Sequence, residues 1–152
     1  MPDDHPDILI YPPIAFAIAV IASYGLYLLV PVGFPVPLGL WIGLVLFAIA
    51  FAVGAAGAGL FLRIGTPISP HKSPEKLVTA GIYKFTRNPM YLALTLTLFS
   101  LALIFSNTWA AFATPILWGV LHYGVVLPEE RFLLRKFGED YAELLSSTRR
   151  WI

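Results

Sequence analysis

The chain has 152 residues, of which 58% are apolar, 12% are charged and none is cysteine. A soluble domain carries about 25% charged residues, and a chain this short has too small an interior to bury so many apolar side chains. We therefore predict that the protein is embedded in a membrane. The lack of cysteine excludes a disulfide framework, a thiolate nucleophile and a thiolate metal site.

Four stretches without Asp, Glu, Lys or Arg predict transmembrane helices. They cover residues 14–30, 38–62, 89–105 and 108–127. A spanning helix needs about 17–25 such residues, so the first and third stretches are at the short end, whereas the second has length to spare for tilt. Acidic residues precede the first stretch, which argues against a cleavable signal peptide. We expect an all-α integral membrane protein with about four transmembrane helices.

The cations predict the topology. Five of the ten Lys and Arg residues lie in the loop 63–88, and the other five follow residue 127. The connections 31–37 and 106–108 are short and uncharged. By the positive-inside rule, the face that carries the cations is cytoplasmic. We therefore expect a multi-pass protein whose two termini and active site are all on the cytoplasmic side.

The last 25 residues, "PEERFLLRKFGEDYAELLSSTRRWI", predict an amphipathic helical segment. Apolar residues recur at helical spacing, with charges on the other face. We expect the segment to lie along the membrane interface or to fold against the loop 63–88. The chain would then form one membrane domain, 1–152, with two helices in 1–62, the cytoplasmic loop, and a hairpin plus this segment in 89–152. The predicted apolar face consists of Leu133, Leu134, Phe137, Tyr141, Leu144 and Leu145.

Polar and aromatic residues crowd the start of the third apolar stretch, in "AGIYKFTRNPMYLAL" (80–94). Asn88 and Pro89 are typical of a helix start, because Asn caps a helix and Pro suits its first position. A helix start also presents N–H groups to an anionic ligand. Tyr83 and Tyr91 can be interfacial aromatics, and Arg87 can be a cytoplasmic flanking charge. Each residue thus has a structural as well as a functional interpretation.

A second polar cluster lies at the end of the fourth apolar stretch. Pro128, Glu129 and Glu130 can open a new helix, because acids in a first turn interact favourably with the helix dipole. His122 lies about five residues inside the apolar stretch, where an ionisable group is expensive and a functional role is the default. A structural hydrogen bond to a neighbouring helix is the alternative. The three-residue connection makes the third and fourth helices antiparallel neighbours, so the two clusters should meet in one site.

These blocks resemble a known superfamily. "GIYKFTRNPMYLAL", followed by "PEERFLLRKFGEDYAEL", is similar to the pattern G-x-Y-x-x-x-R-H-P-x-Y and E-E-x-x-L-x-x-x-F-G-x-x-Y of the isoprenylcysteine carboxyl methyltransferases and phospholipid methyltransferases. The resemblance covers residues 76–150. It implies an S-adenosylmethionine site that the C-terminal segment covers. The cofactor site expected from it consists of Gly81, Tyr83, Arg87, Asn88, Pro89, Tyr91, Glu129 and Glu130, and the expected catalytic residues are Arg87, Asn88, Tyr91 and Glu130. His122 is added to the cofactor-binding residues because of its position inside the apolar stretch.

The implied cofactor suits these side chains chemically. Its ammonium and sulfonium groups are cationic and fit carboxylates and aromatic faces, while its carboxylate fits Arg87 or the helix start. One position departs from the pattern: Asn88 stands where His is usual. Asn forms hydrogen bonds but does not titrate, which puts a proton-transfer role at this position in doubt. Between the two carboxylates, spacing along the helix favours Glu130 as the cofactor ligand.

The resemblance implies an integral-membrane methyltransferase. The acceptor would be lipophilic or membrane-delivered, with a carboxylate, an amine or a thiol as the reacting group. We expect membrane lipids as further partners, and neither a metal nor a nucleic acid. Two alternatives remain: a membrane sterol reductase that uses NADPH, which has a similar C-terminal pattern but is usually much longer, and a non-catalytic membrane scaffold.

Overall fold

The computed structural model describes residues 5–65 and 76–152, so part of the predicted loop 63–88 lies outside the described residues. The described residues form an all-α protein without a regular β-strand, as predicted. A 3₁₀ turn, Gly81–Lys84, precedes the third helix, and a π-helical segment, His122–Val126, follows the fourth. The α-helices are α1 (Pro12–Leu29), α2 (Gly39–Ile64), α3 (Pro89–Ile104), α4 (Thr108–Leu121), α5 (Leu127–Phe137) and α6 (Glu139–Ser147).

Within the described residues, three helical stretches are long and apolar enough to cross a membrane: α1, α2 and the continuous stretch Thr108–Phe137. The remaining predicted span, α3, is an apolar helix of 16 residues, slightly shorter than the about 17–25 residues that a span needs. Helix α3 is also central, since it contacts α1, α2 and α4. Protein therefore covers much of its surface, while α1 and α2 expose many large apolar side chains, which suit contact with lipid.

Small residues bring α2 and α3 together. A Cβ atom at Gly43 would lie 2.7 Å from Ile104 Cγ1 and 2.9 Å from the Ser100 carbonyl oxygen. Further along the same interface, a Cβ at Gly57 would lie 3.1 Å from Pro89 Cγ. Close backbone approach through small residues is the usual way that helices associate in lipid. This contact holds the start of α3, and with it Asn88 and Pro89, against α2.

Substitution of Gly43 tests this packing. Gly43→Ala is expected to lower the free energy of unfolding by about 1–3 kcal/mol, because the added methyl group overpacks the contact with α3. Gly59→Ala in the same helix is the matched control, since nothing lies within 4 Å of its added Cβ. Thermal unfolding of the purified protein in detergent measures both variants. Equal melting temperatures for the two would contradict the close approach.

The helix that carries the acidic pair does not restart at Pro128. Proline lacks the N–H that the Gly124 carbonyl, four residues earlier, would otherwise accept. The chain passes this point as the π-helical segment, in which the Leu127 N–H bonds to the His122 carbonyl. Glu129 and Glu130 do lie in the first turn of α5, with Pro128 just before them, as predicted, but α5 is not a separate helix, because it continues the helical stretch Thr108–Phe137.

The C-terminal segment folds against the rest of the protein. Gly138, with φ +54°, separates α5 from α6, and Phe132, Tyr141 and Leu144 are buried. The predicted apolar face is wrong at Leu134, which is 43% exposed. The phase of the helix is set by its contacts with the bundle, and these turn Phe132 inward and Leu134 outward.

Candidate functional site

The two predicted clusters meet in one cleft, which α3 and α5 line together with the 3₁₀ turn and α6. Its polar wall contains residues from both clusters, and its apolar wall includes Phe61 of α2. The predicted site residues that line it are Tyr83, Arg87, Asn88, Pro89, Tyr91, Glu129 and Glu130. The short turn between α3 and α4 makes this meeting possible, because it places the start of α3 beside the end of the continuous α4–α5 helix.

Glu130 is held by two arginines. Arg150 makes a bidentate contact with it, with Nε 2.9 Å from Oε1 and Nη2 2.8 Å from Oε2. Arg87 Nη2 lies 3.2 Å from Glu130 Oε1. The Arg87 and Glu130 side chains are 9% and 12% exposed, whereas that of Arg150 is 37% exposed. The hydrogen bonds to Glu130 raise the pKa of Arg150 above its ordinary value, so Arg150 stays charged at any physiological pH.

Glu129 has a different partner. The Tyr91 hydroxyl donates a hydrogen bond of 2.7 Å to Glu129 Oε1, which links α3 to α5. Among the described residues no ion pair involves Glu129, whereas Glu130 has two. The two adjacent carboxylates thus differ in their electrostatic surroundings: the charge of Glu130 is compensated twice, and that of Glu129 is not.

Unpaired donors line the same cleft. Arg87 Nε and Nη1 and the Tyr83 hydroxyl are buried and have no hydrogen-bond partner among the described residues. Burial, and after it the negative charge of Glu129, raises the pKa of Tyr83 well above its ordinary value, so the hydroxyl keeps its proton. A buried unpaired donor costs about 1–3 kcal/mol. Three such donors in one cleft are available to the acceptor groups of a ligand.

The last five residues, 148–152, form a C-terminal strap across the loop that enters α3. The Arg87 N–H donates to the Arg149 carbonyl at 3.0 Å. Thr86 Oγ1 and Asn88 Nδ2 donate to the Arg150 carbonyl at 3.3 and 3.0 Å. Asn88 does precede the first residue of α3, but its side chain makes no capping hydrogen bond to the helix. The amide instead attaches the strap, which corrects the capping role expected of Asn88.

Two predicted site residues do not line the cleft. His122 lies in the π-helical segment, where its ring stacks on Trp118 at 5.0 Å and its Nδ1 accepts a hydrogen bond from Trp151 Nε1 at 3.2 Å. This is the kind of structural hydrogen bond that was the alternative to a functional role for His122. Its partner, however, lies in the C-terminal strap and not in a neighbouring helix. Gly81 opens the 3₁₀ turn with φ +59°, and a Cβ there would lie 2.8 Å from Leu60 Cδ1.

The sequence model of one protein family, described as phospholipid methyltransferase, matches residues 38–140. This chain belongs to the phospholipid methyltransferase family. A search of curated proteins found no match to the chain. Membership of the phospholipid methyltransferase family, together with the apolar helices, identifies an integral-membrane methyltransferase. It supports the methyltransferase interpretation over the sterol reductase and the scaffold.

The region matched to the phospholipid methyltransferase family contains both predicted clusters, but not every residue of the cleft. Pro6, Tyr141 and Leu144 line the cleft from outside residues 38–140. Arg150 is the clearest residue that the sequence analysis missed, because nothing marks one arginine of "TRRWI" as the partner of a carboxylate 20 residues earlier. The surplus of cations after residue 148 was the available signal.

Proposed function

We propose that this protein transfers a methyl group from S-adenosylmethionine to a lipophilic acceptor that reaches the cleft from the membrane. The observation that carries the proposal is that the unpaired, buried N–H groups of Arg87 lie in the same cleft as the carboxylate of Glu129, which forms no ion pair among the described residues. S-Adenosylmethionine bears a carboxylate and two cationic groups, so a site for it needs a donor pair and an anion close together. The cleft supplies both.

The residues present fit such a cofactor. Arg87 Nε and Nη1 offer two donors for its carboxylate, and a guanidinium binds a carboxylate with both donors at once. Glu129 and the neighbouring tyrosine rings suit the ammonium and sulfonium groups. The apolar wall, which includes Phe61, Val78 and Phe132, suits the adenine ring.

Glu129, and not Glu130, is the carboxylate that we assign to the cofactor. Glu130 already accepts hydrogen bonds from Arg150 and forms an ion pair with Arg87. Its role is to hold the Arg87 guanidinium, which leaves Nε and Nη1 for the ligand. This assignment reverses the preference for Glu130 that spacing along the helix suggested, because helical register says nothing about arginines that approach from elsewhere in the chain.

The cofactor supplies a methyl group on a sulfonium, so that a lone pair of the acceptor forms the new bond to carbon while the carbon–sulfur electron pair leaves with sulfur. The protein has to hold donor and acceptor in line and exclude water. Asn88 does not titrate, and its amide donates to the Arg150 carbonyl. We therefore propose that Asn88 maintains the C-terminal strap over the cleft and moves no proton.

The acceptor is proposed to be lipophilic because the protein has helices apolar enough to span a membrane and the cleft has an apolar wall that includes Phe61, Val78 and Phe132. A carboxylate or a thiolate can react without a base, whereas an ammonium must first lose a proton.

Calorimetry in detergent tests the proposal. S-Adenosylmethionine and S-adenosylhomocysteine are expected to bind and to raise the melting temperature, as any ligand of the native state does, whereas NADPH is expected to have no effect. Labelled methyl transfer is then measured to a prenylated cysteine, to phosphatidylethanolamine and to an aromatic thiol. Binding of NADPH alone would revive the reductase, and no binding of any cofactor would favour a scaffold.

We also propose that the cleft faces the cytoplasm, since the cations lie at that end of the helices. Single cysteines in this cysteine-free chain test it, at Val32 between α1 and α2 and at Ser146 in α6, both of which are exposed. A membrane-impermeant maleimide added to intact cells is expected to label Val32→Cys and not Ser146→Cys. Labelling of Ser146→Cys from outside would refute this orientation.

A further inference from the structure

The N-terminal segment, residues 5–11, contributes Pro6 to the wall of the cleft although it lies outside the region matched to the family. Pro6 is buried and lines the cleft together with Tyr91 and Glu129. Residues 8 and 10, both isoleucines, pack against the hydrophobic core that α1 and α4 share with α3. The segment is therefore a fixed part of the cleft wall.

A backbone hydrogen bond seats this segment. The Leu9 N–H donates to the Gly124 carbonyl at 2.8 Å. That carbonyl is available because residue 128, its usual partner one helical turn later, is a proline without an N–H. The absence of a side chain at Gly124 also matters, since a Cβ there would lie 3.1 Å from Leu9 Cβ. Gly124 and Pro128 together form the attachment site of the N-terminal segment, which we call the seat.

We propose that the N-terminal segment determines which acceptors the cleft admits. This inference rests on the proposed function. Pro6 supplies a rigid apolar wall next to Tyr91 and Glu129, so an acceptor must be slender beside its reacting atom. A bulky group on the acceptor at that point clashes with the proline ring. The Leu9–Gly124 hydrogen bond fixes the position of this ring. The segment is thus a specificity determinant that lies outside the region matched to the family.

Pairs of acceptors test the proposal. The two members of each pair share the same kind of reacting group and differ in the bulk close to it. The pairs are N-acetyl- and N-pivaloyl-S-farnesylcysteine, thiophenol and 2,6-dimethylthiophenol, and phosphatidylethanolamine and its N-methyl derivative. Pro6→Gly is expected to lower the preference for the slender member, as a ratio of kcat/KM values, by about tenfold, the scale on which an apolar wall discriminates methylene groups. The dissociation constant of S-adenosylhomocysteine is measured in the same variant, so that an effect on the cofactor is separated from an effect on the choice of acceptor.

Two variants act on the seat and not on the wall. Gly124→Ala displaces Leu9, and Pro128→Ala adds an N–H that competes for the Gly124 carbonyl, so both are expected to relax the preference in the same direction as Pro6→Gly. Gly119→Ala is the matched control, because nothing lies within 4 Å of its added Cβ. An unchanged preference in Pro6→Gly and Gly124→Ala, with cofactor binding intact, would overturn the proposal and leave the proposed function standing.

A measurement without turnover separates the two proposals further. Val126 lines the cleft and has 0% of its side chain exposed. In Val126→Cys, the single thiol is expected to react slowly with a bulky maleimide, and faster once Pro6→Gly is added. Equal labelling rates would refute the wall even if no acceptor were methylated. Failure of the wild type to bind S-adenosylhomocysteine would instead refute the proposed function.

Discussion

Replacing Glu130 with Gln is expected to lower the free energy of unfolding by about 3–5 kcal/mol, because it leaves the buried Arg87 guanidinium without its counter-charge. The expected effect comes from the Arg87–Glu130 pair, because these two side chains are only 9% and 12% exposed. Arg150 is 37% exposed, so Arg150→Gln is expected to cost about 1 kcal/mol or less. Thermal and denaturant unfolding in detergent measure both variants.

The double variant Arg87→Met with Glu130→Leu is the control for this expectation. Replacement of both members of a buried pair by apolar side chains is often neutral or stabilising, so the double variant should recover much of the stability that Glu130→Gln loses. A Glu130→Gln protein as stable as the wild type would mean that solvent reaches Arg87, and the Arg87–Glu130 pair would then have no structural role.

Replacing Glu129 with Gln is expected to weaken cofactor binding and to change the free energy of unfolding little, which is the opposite of the effect of Glu130→Gln. Loss of a charge-assisted hydrogen bond to the ammonium group should weaken S-adenosylhomocysteine binding by about 1.5–3 kcal/mol, roughly ten- to a hundredfold or more. Stability should change little, because the amide oxygen of the substituted side chain can still accept the Tyr91 hydrogen bond. The measurement is the dissociation constant of S-adenosylhomocysteine, with the fold checked by thermal melting.

Tyr91→Phe is the matched control for Glu129→Gln. It removes the hydroxyl that donates to Glu129 at 2.7 Å but keeps the carboxylate charge, so affinity should fall less than in Glu129→Gln. Near-wild-type affinity in Glu129→Gln would refute the assignment of Glu129. If Glu130→Gln lost affinity at temperatures where it is still folded while Glu129→Gln did not, the two roles would be exchanged.

The sequence alone determined the class of protein and most helix boundaries. An apolar stretch is a local signal, because a long run without charges is placed in the membrane whatever the rest of the chain does. The predicted start of α3 at Pro89 and of α4 at Thr108 agree with the structure. The short uncharged turn at 106–108 also required the two polar clusters to meet. The orientation of the cleft toward the cytoplasm remains a prediction from the distribution of cations.

The interior of the site required the tertiary structure. Glu129 and Glu130 are chemically identical neighbours, and only the approach of Arg150 and Arg87 from elsewhere in the chain distinguishes them. An ionisable ring in an apolar helix makes His122 a predicted site residue, yet its Nδ1 accepts a hydrogen bond from Trp151 and it does not line the cleft.

Pro128 predicts a helix start because proline is typical of that position, whereas a π-helical segment carries the helix past it. Sequence patterns report what each residue prefers over one or two helical turns. The partners of Glu130, His122 and the Gly124 carbonyl lie 20 to more than 100 residues away along the chain. Such contacts follow from how the helices pack and where the two termini run, so the tertiary structure alone decided them.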